Sequence, residues 1–361
     1  MKRLKVLIVG PFPEPTTGLS LSNKVVFDGL CKNPNIQPSK IDTSLKNFEE
    51  SVGSFTFKKV FFFLKQNLKA YQIFNNDVVY ITIGQSFYGV LKYAIFVFLA
   101  WILGKEIIVH LHGNTLINTY NNSSKLKKVI LKSILSKTTK AIVLSDSLKA
   151  NFIPFIKEKE IFVLNNFVED YLYLSKKERG SKEYNALKIV YLSNLMTEKG
   201  IFYFLDALNK LEDSHVNFQA KCAGHIDESL KESIIRNINK TKHLTYLGSV
   251  KKQDKRELLK WGNVFVFPSY LIEGLPLSIL EAMVTGNIII STEHDALLDY
   301  FDASNMYFID KQSANDILKT LIEINDSLND HRKMIITNYE YTEQINEEAF
   351  VNKLVKIIQN N

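Results

Sequence analysis

The sequence predicts an α/β protein of two doubly wound parallel-sheet domains, and three observations carry that prediction. Short runs rich in Val and Ile alternate with helix-length segments along the whole chain. The runs are apolar almost without a break, the pattern of strands buried on both faces. At 361 residues the chain has room for two domains of ordinary size.

In the first half the predicted strands are LKVLIVG (4–10), DVVYITI (77–83), EIIVHLH (106–112), KAIVLS (140–145) and IFVLN (161–165). In the second half they are LKIVYLS (187–193), VNFQAKCAG (216–224), HLTYLG (243–248), NVFVFPS (263–269) and NIIIST (287–292). The polar stretch 170–186, with Gly180 in its middle, reads as the linker, which gives domains of 1–170 and 171–340. In YTEQINEEAFVNKLVKII (341–358), Ile345, Phe350, Leu354 and Ile357 share one face. Residues 341–361 are therefore expected to form a terminal helix that packs back toward the first domain. Facing αβ domains hold ligands in a cleft where strand carboxyl ends meet helix starts.

Composition removes several alternatives. With 46% hydrophobic and 23% charged residues, the chain is neither disordered nor a small disulfide scaffold. Cys31 and Cys222 lie far apart and belong to no CxxC or Cys/His cluster, which argues against a zinc site and fits a reducing compartment. The opening MKRLKVLIVGPFPEP ends its short apolar run in prolines rather than a cleavage site, so a cytoplasmic location is expected. The run from Tyr93 to Leu103, flanked by Lys92 and Lys105, is eleven residues long. That is short of the roughly 18–20 that span a bilayer, and it reads as a buried helix.

Charge is uneven. Residues 1–170 hold 22 Lys and Arg against 12 Asp and Glu, whereas residues 171–361 hold 23 against 26. A basic first half points to an anionic partner. Within it, SFTFKKVFFFLKQNLKAYQIF (54–74) sets Phe57, Val60, Phe61, Leu64, Leu68 and Tyr71 on one helical face and Lys58, Lys65 and Lys69 on the other. It reads either as an interfacial helix on anionic lipid or as an ordinary sheet-covering helix with a solvated lysine face. Lys125, Lys127 and Lys128 add to the same surface. No recognition motif accompanies these charges, so nucleic acid is not an expected partner.

The most informative stretch is FPSYLIEGLPLSILEAMVTGNIIIST (267–292). A strand ends at Pro268-Ser269, a loop carries Glu273-Gly274, and a helix begins near Pro276 and stops before Gly286. Free N–H groups and the positive dipole end make such a helix start a seat for a diphosphate. Gly274 lets the backbone approach that ligand. Glu281 lies among apolar neighbours, where an unpaired charge is costly, and its carboxylate can accept two hydrogen bonds from a ribose diol. Glu273, nearer the phosphates, can do the same for sugar hydroxyls.

This block resembles the E-x7-E signature of retaining GT-B glycosyltransferases, specifically glycosyltransferase family 4. Other pieces follow in the family's order: FVLNNFVED (162–170), YLSNLMTEKGIFYFLDAL (191–208) and HLTYLGSV (243–250). The resemblance implies a GT-B fold with an acceptor-binding first domain and a nucleotide-sugar-binding second domain. It implies that Glu273 holds the transferred sugar, that Glu281 holds the ribose, and that Gly274 and Leu275 lie against the donor. Lys199 would neutralise the diphosphate, and Gly248 would lie by the base. Family members commonly carry an arginine where this chain has Asn194, which shifts the expected burden onto Lys199 and the helix start. A second departure, STEHDALLDYF (291–301), replaces a Gly-Gly turn and leaves His294 and Asp295 without an assigned role.

In the first half, GPFPEPTTGLSLSN (10–23) is not a GxGxxG fingerprint, and the resemblance places Gly18 of this loop near the phosphates and acceptor. His110 and His112 alternate on a predicted strand with no third ligand nearby, so a metal is not expected. The resemblance gives His112 a role on the acceptor side. The implied activity is transfer of a sugar from a nucleotide diphosphate, UDP favoured, to a hydroxyl on a lipid-linked or growing surface polysaccharide such as capsule or O-antigen. It would need no metal and would take place at the inner membrane face. A nucleotide-sugar epimerase and an inactive sugar-nucleotide-binding protein are the rival readings.

Overall fold

The computed structural model describes residues 3–44 and 65–360. The chain divides into two compact units. Unit 1 comprises Met1–Asn166, Ile272–Leu275 and Glu347–Asn361, and unit 2 comprises Phe167–Leu271 and Pro276–Asn346.

Unit 1 is built on a six-stranded sheet of β1 (Leu4–Gly10), β2 (Ile36–Asp42), β3 (Val78–Ile83), β4 (Glu106–Leu111), β5 (Lys140–Val143) and β6 (Ile161–Val163). Their order is β2-β1-β3-β4-β5-β6, and every pairing is parallel. Unit 2 repeats the plan with β7 (Leu187–Leu192), β8 (Phe218–Ala223), β9 (Leu244–Tyr246), β10 (Val264–Phe267), β11 (Ile288–Thr292) and β12 (Tyr307–Ile309). These run β12-β11-β10-β7-β8-β9, again all parallel. The doubly wound α/β architecture expected from the sequence is therefore present in both units. Each sheet reverses its direction of winding beside its first strand, between β1 and β3 and between β7 and β10, where loops diverge and leave room for a ligand.

The central strands are the uninterrupted apolar runs. Val6 to Val9, Val79 to Ile81 and Ile288 to Ile290 are essentially inaccessible to water. Two edge strands, β2 and β12, are absent from the sequence reading. β2, IQPSKID, buries only Ile36 and Ile41 and contains Pro38, which an edge tolerates. β12 has only three residues.

Three further differences from the sequence reading have physical causes. The stretch 170–186 is built into unit 2 rather than hanging free: Glu178 pairs with Arg256 and Lys260, and Lys182 Nζ donates to the carbonyls of Leu259 and Thr285. The terminal helix spans Glu347–Gln359, because the preceding helix Arg332–Thr342 takes the start of the expected segment. Its Phe350, Leu354 and Ile357 are buried, and Lys140 Nζ donates to the Ile357 carbonyl at 2.9 Å within unit 1. The apolar run after Tyr93 forms the helix Ala94–Ile102, which buries Phe96, Val97 and Ala100 but leaves Ile95, Trp101 and Ile102 in solvent. Of the basic aromatic stretch 54–74, Phe57, Lys58, Val60, Phe61 and Leu64 lie outside the described residues. Leu68 and Tyr71 are exposed on a 3₁₀ helix, Leu68–Asn75.

Candidate functional site

In unit 2 the predicted residues cluster at the carboxyl ends of the strands beside the β7/β10 reversal. After β7 a 3₁₀ turn, Thr197–Lys199, closes on Gly200, whose φ is +77°. A Cβ on Gly200 would lie 2.2 Å from the Pro268 carbonyl oxygen, so no larger residue permits this approach. The Tyr270 and Leu271 amides donate to the Glu198 carbonyl at 3.0 and 3.2 Å, pinning the turn to the loop after β10. Lys199 is thereby held with its Nζ 5.4 Å from the centroid of the Phe267 ring.

Asn194 is exposed in the same loop. Next to it, the Leu195 amide donates to the His225 carbonyl, and the Gly224 amide donates to the Gly248 carbonyl at 2.9 Å. The loops that follow β7, β8 and β9, and with them Asn194 and Gly248, are thus stitched side by side.

The helix Leu277–Val284 follows β10 with Pro276 at its N-cap, and no side chain caps it. Its first-turn amides remain available to an anion. Glu281, on its second turn, is buried and paired with Lys255 at 2.6 Å; Lys255 also reaches Glu169 at 2.8 Å. Burial alone would lower the Lys255 ammonium, but Glu281 and Glu169 outweigh it and hold it well above its ordinary value. Lys255 stands in the polar run KKQDKREL, far in sequence from both carboxylates it meets.

His294 is not a loose loop residue. It is buried, with Nε2 3.0 Å from Thr292 Oγ1, and Thr292 Oγ1 in turn donates to the Ser269 carbonyl. Its ring meets Phe267 edge-on at 6.1 Å, so it supports the loop after β10.

In unit 1, β4 carries His110 and leads into His112. The two rings are 4.0 Å apart, and His110 Nδ1 lies 2.5 Å from the Tyr80 hydroxyl. Burial pushes His112 down to about 4, while the neighbouring Asn166 side chain acts the other way; His110 is driven well down by burial and by His112. Both rings are neutral at pH 7. The helix Gly18–Lys32 begins at Gly18, capped by Thr17, and one turn on it brings Ser22 Oγ to 3.4 Å from His112 Nε2.

The segment Ile272–Leu275 belongs to this unit. A Cβ on Gly274 would meet Leu144 Cδ1 at 2.9 Å and the His112 carbonyl oxygen at 3.0 Å, so glycine allows the two backbones to touch. Asn166 Nδ2 donates to the Leu275 carbonyl at 2.5 Å. Glu273, Gly274 and Leu275 are therefore fixed beside His112 by a buried asparagine that the sequence reading passed over. Among the described residues no group of three or more His, Cys, Asp or Glu is arranged to hold a metal ion.

Two doubly wound parallel sheets are the architecture of the GT-B fold, which this chain shares with solved glycosyltransferase structures. Residues 175–341 match the family model described as glycosyl transferases group 1. No curated protein matches the chain in sequence. Among solved structures, a glycosyltransferase from Rickettsia africae is 17% identical with a TM-score of 0.76, all of both chains being covered. The Anabaena protein HepE in complex with UDP and glucose is 14% identical with a TM-score of 0.75, covering 99% of this chain and 100% of its own. Sucrose-phosphate synthase from Thermosynechococcus elongatus is 15% identical, with a TM-score of 0.74 and coverage of 99% and 98%.

Proposed function

We propose that the protein is a retaining family 4 glycosyltransferase that moves a sugar from a UDP-sugar to a hydroxyl acceptor without a metal ion. The acceptor would be a lipid-linked or growing surface polysaccharide of the capsule or O-antigen kind. The observation that carries this reading is the strand-end cluster of unit 2: Lys199, the uncapped start of helix Leu277–Val284, and the buried carboxylate of Glu281. It lies within the span that matches the glycosyl transferases group 1 model. The UDP and glucose bound to the Anabaena protein favour uridine as the base.

In this mechanism Glu281 accepts hydrogen bonds from the ribose diol, while Lys199 and the open amides take the diphosphate. The Lys199 ammonium and the amide dipoles both act on charge that grows as the leaving group departs. The acceptor oxygen attacks the anomeric carbon on the face from which the diphosphate leaves. The hydroxyl proton passes to a phosphate oxygen of the leaving group, so no protein nucleophile is needed. Glu273 orients the sugar hydroxyls, and neutral His112 hydrogen-bonds on the acceptor side.

Thermal stabilisation by UDP, GDP and ADP, without metal and then with magnesium, tests the donor reading. At about 100 times the dissociation constant, a bound nucleotide adds roughly 2.7 kcal/mol of stability. UDP should give that shift without metal, and Glu281→Ala should abolish it. A protein indifferent to every nucleoside diphosphate would sink the proposal. The configuration of the anomeric carbon in the product, read by NMR, decides whether transfer is retaining.

A further inference from the structure

The side of unit 1 formed by helices Phe87–Leu91, Ala94–Ile102 and Lys125–Leu135 has a composition that the proposed chemistry does not use. These helices lie side by side. At one end Lys127 Nζ is 5.2 Å from the Phe87 ring centroid, and at the other Lys137 Nζ is 3.8 Å from that of Trp101. Their outer surface leaves Trp101 51%, Ile102 70%, Leu126 72% and Val129 65% exposed. Ile95 and Ile102 are seven residues apart and Leu126 and Val129 three, so each pair shares one face of its helix. The 3₁₀ helix Leu68–Asn75 packs against Ala94–Ile102 and adds exposed Leu68, Tyr71 and Phe74. Soluble surfaces rarely gather this many large apolar side chains in one place without a partner.

The charge says which partner. Between Asp77 and Asp146 the sequence holds eight lysines and one acidic residue, Glu106. Glu106 is paired with the buried Lys140 at 2.5 Å, so it does not offset the lysines of the outer face. A second copy of the chain is disfavoured, because a two-fold interface would set lysines against lysines. Protein interface cores are also depleted in lysine. Lysines interleaved with Trp, Tyr and branched aliphatic side chains suit the boundary between lipid headgroups and acyl chains.

We propose that this face docks the protein on an anionic lipid bilayer. The aliphatic tips and Trp101 enter the headgroup boundary, and Lys125, Lys127, Lys128, Lys132 and Lys137 meet the lipid phosphates. Among the described residues no helix is long and apolar enough to cross a membrane, so the contact is peripheral. The surface deepens the lipid-linked acceptor reading and rests on it for the nature of the acceptor, yet it is measured without any acceptor.

The test is flotation with phosphatidylcholine vesicles, with and without phosphatidylglycerol, at low and high salt. The protein should float with the anionic vesicles alone, and salt should release it. Lys125→Gln and Lys128→Gln should each weaken partition about fivefold. The pair Trp101→Ser and Ile102→Ser should weaken it at least tenfold while leaving the UDP-induced thermal shift unchanged. If that pair folds poorly, the lysine variants still decide. Failure to float with anionic vesicles, or equal partition of variants and parent, would overturn the proposal. So would a concentration-dependent dimer, seen by light scattering, that the same substitutions dissolve. Vesicle binding without any UDP effect would instead remove the donor reading and leave this face intact.

Discussion

The ammonium of Lys255 lies 2.6 Å from the carboxylate of Glu281, and both side chains are largely shielded from water. The same ammonium holds Glu169, and it lies 5.7 Å from the centroid of the Tyr171 ring. One lysine thus fixes the direction of the carboxylate proposed to read the ribose. Removing one member of a buried ion pair costs about 3–5 kcal/mol, because the partner charge is stranded. Lys255→Met should lose stability of that order in urea denaturation, and adding Glu281→Gln should restore part of it. A loss below about 1 kcal/mol would show that water screens the pair.

Gly274→Ala places a methyl group 2.9 Å from Leu144 and 3.0 Å from the His112 carbonyl. Backbone cannot yield as a flexible side chain can, so a cost of about 1–3 kcal/mol is expected. The loop carrying Glu273 should shift away from His112, and kcat should fall more than the UDP affinity does. Parent-like turnover would mean that this contact is unimportant for the sugar.

Lys199→Ala removes a charge proposed to meet the leaving diphosphate, and a loss of about 10²–10³ in kcat is expected. Asn194→Arg in that background should return part of the activity, since it restores a cation in the neighbouring loop. Steady-state kinetics with a UDP-sugar reads both effects. A Lys199→Ala enzyme as fast as its parent would remove this residue from the mechanism.

An unfolded histidine binds a proton near pH 6.5, whereas folded His112 does so only near about 4. As pH falls from 6.5 toward 4, proton uptake therefore favours the unfolded chain and stability drops; above 6.5 this contribution is present in full. His112→Gln should make the stability profile shallower across that window, by up to about 1.4 kcal/mol per pH unit. Some slope should survive, because buried His110 acts in the same direction. A profile unchanged by the substitution would show that His112 titrates normally.

The architecture was legible because the central strands are written as continuous apolar runs, and the loop and helix after β10 because Pro276 and Gly286 mark both ends of the helix. The edge strands β2 and β12 were not, although the other two edges, β6 and β9, were. β2 buries only Ile36 and Ile41 of its seven residues, so it lacks the apolar run that identifies its neighbours. Asn166 and Lys255 were invisible for a different reason. Each acts on residues more than twenty positions away in sequence, Leu275 in one case and Glu281 in the other, and no local spacing encodes such a meeting. His294 was hidden similarly, since its burial depends on Thr292 and Phe267 meeting at the ends of adjacent strands.

The starts of helices Gly18–Lys32 and Leu277–Val284 differ in one respect. Thr17 and Ser20 close the first turn of Gly18–Lys32 with a reciprocal capping box, whereas Leu277–Val284 begins behind Pro276 with no side chain bonded to its amides. Protein engineers seeking a hardier variant would be drawn to the second helix, where Pro276→Ser or Pro276→Asp supplies a missing cap for about 1 kcal/mol. That gain would set the new side chain in competition with the donor's phosphates, and aspartate would also repel them. Thermostability and donor affinity are opposed at this one position, and a library selected for heat tolerance alone should drift toward sequences that melt later and turn over more slowly.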